Sequence, residues 1–245
     1  IRRLQPGILT FCTAEWDPSV RWIGNEDGYA SKENPLAVTS APISERTNRV
    51  ENLPEEAFLP AECDCQIRNT WFYDHNEDSL KSVEELFGMY EMSGGNGSNF
   101  LLNIGPDPRG LLPEQAQARV LALGERIRKV YGSPCAFSAP EREENGDYCI
   151  TAPCLSPPLK KHSAIRETSG LINRVVLSED LSEGQAVRAF RLYFCPARYK
   201  NRKLLLYKGA TVGHQVICQI PTVRASKLIL EVTESDGDFR LADMK

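Results

Sequence analysis

Two stretches of this sequence set carboxylates beside aromatic rings at spacings that suit sugar chemistry. The first is Arg21-Trp22-Ile23-Gly24-Asn25-Glu26-Asp27-Gly28-Tyr29. The second runs Pro60-Ala61-Glu62-Cys63-Asp64, then Ile67-Arg68 and Trp71-Phe72-Tyr73. Aromatic rings pack on the apolar face of a pyranose, while acids bind hydroxyls or protonate a glycosidic oxygen. A plainer account fits the same residues, with Trp22 and Trp71 as core side chains and Glu26 as a solvated loop charge. Other chemistries lack parts. No Gly-x-Ser-x-Gly occurs, and His75, His162 and His214 fall in unrelated contexts, so a serine triad has no base. Gly94-Gly95-Asn96-Gly97 has no following Lys-Ser/Thr and reads as a hairpin-like turn rather than a phosphate loop. Cys63 and Cys65, with His75 further on, would give three metal ligands, but nothing completes a fourth. They read as strand residues on one face, and no metal or other cofactor is assigned. Asn96-Gly97-Ser98 matches an N-glycosylation sequon, a tripeptide that often arises by chance.

These residues need elements to hold them. Gly7 to Cys12 and Phe100 to Ile104 are short apolar runs that read as buried strands, and Gln66 to Tyr73 is a third candidate. Ser82 and Glu85 have capping-box spacing, and Leu80, Val83, Leu86, Phe87 and Tyr90 line one helical face. A second helix opens at Pro113. Its apolar stripe is Ala116, Val120, Leu123, Ile127 and Val130, and Gly132 and Pro134 stop it. Strand, loop and helix in succession are the unit of a parallel sheet, whose functional groups sit on loops at the strands' carboxyl ends. That rule selects the loops Ala14 to Ala30 and Gly105 to Gly110.

The segment 134–166 carries Pro134, Pro140, Pro153, Pro157 and Pro158 and reads as a proline-rich connection. Beyond it come short strands at Val187–Phe194, Leu204–Tyr207, Gln215–Ile220 and Lys227–Val232, with Pro221 between the last two. This spacing suggests an antiparallel β-sandwich. The expected fold class is therefore α/β followed by all-β, with a boundary near residue 133 and the sandwich over 167–245.

Composition bounds the function. The 245 residues suffice for one large or two modest domains, and 41% hydrophobic and 25% charged residues suit a packed globular chain. No apolar run is long enough to span a membrane. A net charge of −4 without a basic block argues against a nucleic-acid partner or an anionic lipid surface. Eight cysteines is an even count, yet a chain this long has no need of a disulfide framework.

Taken in order, the motifs resemble the α-L-fucosidases of glycoside hydrolase family twenty-nine. The resemblance rests on Arg21 to Ala30, Pro60 to Asp64, Ile67-Arg68, Trp71 to Tyr73, Lys81-Ser82, and Leu101 to Asp107 with Arg109-Gly110. It continues more weakly through Ile172 to Asp180 and Glu183 to Gln185. It implies the C-terminal part of a (β/α) TIM-like barrel followed by a β-sandwich, and a retaining mechanism with two carboxylates about 5 to 5.5 Å apart. It assigns Glu26 as general acid/base, with a raised pKa in the active enzyme. It also suggests substrate contacts for Trp71, against the fucose methyl group, and for Glu62, Arg21 and Asp64. Leu59, Thr70 and Ser93-Gly94-Gly95 depart from the family pattern, which bears on subsite shape and linkage. The Gly-Asn-Glu and Pro-Ala-Glu motifs point to the branch that cleaves α-1,3 and α-1,4 fucosyl branches.

The same resemblance places the nucleophilic aspartate upstream of Ile1, because neither Asp17 nor Asp27 sits in the expected motif. The start at Ile1-Arg2-Arg3, without methionine, suggests that an N-terminal half of the same polypeptide is missing and that this chain alone is inactive. The implied partner is a fucosylated oligosaccharide or glycoconjugate, and the family leans towards secretion or a glycan-processing compartment. The competing reading is a non-catalytic carbohydrate-binding protein whose β-sandwich holds glycan.

Overall fold

The computed structural model describes residues 1–11, 18–44, 49–154, 170–199 and 201–245. Asp17, His162, Cys12 and the stretch 155–166 of the expected connection lie outside the described residues. The chain divides into two compact units, Ile1–Val130 and Tyr131–Lys245.

The first unit is built on a parallel sheet of β1 (Arg21–Trp22), β4 (Ala61–Gln66) and β5 (Asn99–Asn103), in that order. Trp22 lies in register with Glu62, and Glu62 with Asn99. On β4 the even positions Glu62, Asp64 and Gln66 are half-buried, while Ala61, Cys63 and Cys65 are buried on the opposite face. Helix α1 (Val83–Met92) starts where the capping pattern predicts, with the Ser82 side chain accepting from the Glu85 N–H. Helix α2 (Glu114–Tyr131) buries Ala116 and Leu123 from the expected stripe, but Val130 is exposed. The helices meet where the Arg126 guanidinium lies 5.1 Å from the Phe87 ring centre and Arg119 donates to the Lys81 carbonyl.

Three expectations for this unit need correction. Gly7 to Cys12 forms no strand among the described residues; a single parallel bridge, Phe11 to Val20, marks the place, and Leu9 and Phe11 are exposed. Gln66 to Tyr73 is not a strand, because β4 ends at Gln66 and the chain then bends around the buried Arg68. Gly94–Asn96 is a 3-10 turn joining a helix to a strand, a place where no hairpin can form. The Asn96 amide nitrogen donates to the Ala30 and Met92 carbonyls and is buried, so the sequon is a structural lock rather than a glycan acceptor. The antiparallel pair β2 (Ala37–Ser44) and β3 (Arg49–Phe58) was not foreseen, since its proline-bearing polar sequence lacks clean alternation.

The second unit is antiparallel. It contains β6 (Glu141–Arg142), β7 (Tyr148–Pro153), β8 (Gly170–Glu179), β9 (Val187–Pro196), β10 (Leu204–Gly209), β11 (Val216–Ser235) and β12 (Leu241–Met244). β6 and β7 lie inside the expected connection, because Ile150 and Ala152 alternate inward and join the core. Gln215–Ile220 and Lys227–Val232 are not separate strands: β11 runs through both. Its first half pairs with β8 and its second with β7 and β9, and the pairing shifts register between Gln219 and Val223. Pro221, which has no N–H to give a ladder, sits inside that irregularity. One apolar cluster, including Leu177, Phe190, Leu192, Cys218 and Leu230, fills the unit. The buried Glu179 carboxylate accepts from the N–H groups of Ala186, Val187 and Gly213.

Leu230 is fully enclosed in this cluster, so Leu230→Ala should lower unfolding stability by about 2–5 kcal/mol in urea titrations. A loss below about 1 kcal/mol would mean that the cluster does not enclose it.

Candidate active site

The parallel register sets the site. Trp22, Glu62 and Asn99 point to one side of the sheet, followed along the strands by Asp64 and Asn103. From the end of β1 the loop through Glu26 folds back so that Asp27 bridges Cys65, and Asn25 ties it internally to the Asp27 N–H and the Tyr29 carbonyl. Glu26 is thereby carried to the end of β4. There the Trp71 indole N–H donates to Glu26 Oε2 at 2.9 Å.

Trp71 is held by its own surroundings. The Asn103 amide donates to the Trp71 carbonyl at 2.7 Å. Gly105 approaches the backbone of Phe72 and Tyr73 so closely that a Cβ there would lie 2.7 Å from the Tyr73 nitrogen. The turn beyond is organised by Arg68, whose guanidinium bonds the Asn76 carbonyl at 2.6 Å, the Ser79 hydroxyl, Asp74 and Glu77. The Tyr73 ring lies against the same guanidinium. Asp74 is held below the usual carboxylate range, first by the Ser79 hydroxyl and then by the Asn76 N–H and the Arg68 charge.

Asp64 takes the Trp22 indole N–H at 2.7 Å. Its carboxyl is nevertheless pushed above the ordinary aspartate range, chiefly by burial and further by the negative charge of Glu26. Glu62, on the same face, is engaged by the Asn99 amide at 3.0 Å. Behind the sheet, burial raises Cys63 to about 12, with Cys65 and Asp64 adding to the rise, and raises Cys65 to about 11 against the opposing charge of Lys81. These are protonated thiols packed under a strand, and among the described residues no group of three His, Cys, Asp or Glu could hold a metal ion.

Of the five residues singled out in the sequence, the structure brings Glu26, Trp71 and Asp64 together and puts Glu62 on the same face. Arg21 is the exception. It lies in register with Ala61, so it leaves β1 on the other face, and it donates to the Pro35 carbonyl at 2.9 Å. Trp22, Asn99, Asn103 and Arg68 had no assigned role from sequence. The four-residue spacing of Asn99 and Asn103 on one strand face was the available signal for two of them.

Comparison with known proteins agrees with the motifs. Residues 29–132 match the model of the alpha-L-fucosidase family. "Alpha-L-fucosidase 1" of Arabidopsis thaliana is 36% identical over 150 residues, covering 57% of this chain and 28% of that protein. A glycoside hydrolase 29 family member from an unknown rumen bacterium superposes with a TM-score of 0.74 at 23% identity, covering 100% of this chain and 43% of its own. A Ruminococcus gnavus GH29 fucosidase solved in complex with fucose gives 0.73 at 19% identity, covering 97% and 52%. These two structures share the fold. The chain spans about half or less of the length of each of the three proteins.

A carboxyl whose folded pKa is raised disfavours folding once it ionises, a cost absent below the unfolded pKa of about 3.9 and complete above the folded value. Asp64→Asn keeps an acceptor for Trp22 and removes the charge. Its stability relative to wild type should therefore rise between pH 3 and pH 7 in paired thermal melts, and a pH-independent difference would contradict the burial of this carboxyl.

Proposed function

We propose that this chain is the C-terminal part of a retaining α-L-fucosidase that removes terminal α-linked fucose from glycans or oligosaccharides. In this reading the first unit completes a (β/α)-barrel whose earlier strands belong to an N-terminal half of the same polypeptide. The second unit is the appended antiparallel β-sandwich, and the protein acts in a secreted or glycan-processing setting. Glu26 serves as general acid/base. The nucleophile is an aspartate outside these residues, and the barrel would bring it about 5 to 5.5 Å from Glu26.

The observation that carries the proposal is the Trp71–Glu26 hydrogen bond at the carboxyl ends of parallel strands, where such sheets hold their reacting groups. An acid/base must give its proton to the departing glycosidic oxygen and then take one from water. The indole N–H fixes one carboxylate oxygen and leaves Oε1 for that exchange. It also turns the apolar ring of Trp71 beside the reacting position, where it can pack on the fucose methyl group. Asp64, kept on the same face, supplies negative charge near a developing oxocarbenium ion. Glu62 stands two residues before Asp64 on β4 and suits a sugar hydroxyl or the ordering of Asn99.

The chain alone should not hydrolyse 4-nitrophenyl α-L-fucoside, whereas the longer polypeptide that supplies the aspartate should. In that polypeptide Glu26→Gln should reduce kcat on a fucosyl oligosaccharide by about 10²–10⁴-fold. On 4-nitrophenyl α-L-fucoside, whose leaving group departs with little protonation, azide should restore turnover, because it attacks the fucosyl-enzyme without needing a proton removed. Unchanged turnover in Glu26→Gln would overturn the assignment of the acid/base.

A further inference from the structure

Arg21 is a mostly buried cation with no counter-charge among the described residues. The one hydrogen bond of its side chain to them runs from Nη2 to the Pro35 carbonyl, and Nε is sealed from solvent without an acceptor. Burial without an anion lowers its pKa, so the surroundings disfavour the charge that the guanidinium still carries at neutral pH. Such a side chain exerts its field on whatever occupies the space beside it.

That space is a cavity of about 450 Å³ between the loop after β1 and the β2–β3 pair. Its size lies in the range that holds a small ligand. Besides Arg21 it is lined by Tyr29, half exposed, by Ser31 and Ser40, and by Val38. An aromatic residue, two serines and a cation together suit a polar ring compound bearing one negative charge. Glu33 also lines the cavity and is exposed there, so its carboxylate opposes a dianion more than a monoanion.

We propose that Arg21 and this cavity bind the carboxylate of an acidic sugar, of the uronic acid class, on the face of β1 opposite Trp22. Arg21 is then a ligand for an acidic sugar unit rather than a contact to fucose, and the cavity is separate from the Glu26–Trp71 pair. The two share the loop from Ile23 to Ala30, which has Asn25 and Tyr29 on the cavity and Glu26 against Trp71. The proposal does not rest on the hydrolytic reading, since binding through Arg21 requires no turnover.

The test is an NMR titration of arginine side-chain N–H signals in the 245-residue chain with sodium glucuronate, glucuronic acid methyl ester and inorganic phosphate. The Arg21 signal is assigned by its absence in Arg21→Lys. Glucuronate should shift that signal saturably, bind at least about tenfold more tightly than the uncharged ester, and weaken as salt is added. Arg21→Gln should abolish glucuronate binding; the wild-type shift decides the matter if that variant fails to fold. Equal binding of the ester, tighter binding of phosphate, or shifts confined to other arginines would overturn the proposal.

Discussion

A guanidinium removed almost wholly from water governs the first unit. Arg68 is 2% exposed, and Asp74, Glu77, the Ser79 hydroxyl and the Asn76 carbonyl surround its guanidinium. Removing an acceptor from this set leaves a buried guanidinium N–H without a partner, which destabilises the turn. The chain from Ile67 to Lys81 is consequently closed on itself. Lys81 returns an N–H to the Ile67 carbonyl, and its ammonium bonds the Arg68 carbonyl. This closure sets where Trp71 stands, and Asn103 and Gly105 hold the same loop from the sheet side.

The second constraint is the parallel register of β1, β4 and β5. A period of two sends Glu62 and Asp64 to one face and Cys63 and Cys65 to the other, so one short strand serves both a polar site and an apolar core. The polar face is held at a cost. Asp64 is buried enough to disfavour its own charge, and Glu26 nearby adds to that effect. A site that gathers carboxylates in this way accumulates negative potential where a positively charged transition state would form.

Much of this was legible in the sequence because it rests on local rules. The Ser82 cap and the breadth of α2 follow from spacing, whereas placing Glu26, Asp64 and Trp71 in one site came from the family resemblance of their motifs. What escaped depends on partners distant in the chain. Gly7 to Cys12 has strand composition, yet one bridge is its whole pairing among the described residues. Pro221 looked like a stop but sits in a register shift of a strand long enough to absorb it. Arg21 shares a motif with Trp22, but adjacent residues on a strand face opposite ways, and only the pairing with Ala61 shows which way each points. The turn around Arg68 carries no periodic signal, since its order comes from one buried charge rather than from repeated apolar positions.

Trp71 and Glu26 meet through one hydrogen bond, and the indole N–H signal of Trp71 reports that contact most directly. In ¹⁵N–¹H spectra at neutral pH, Glu26→Ala, which removes the acceptor, should shift the Trp71 indole signal and leave the Trp22 indole signal, held by Asp64, in place. A Trp71 indole signal unmoved in Glu26→Ala would contradict that contact.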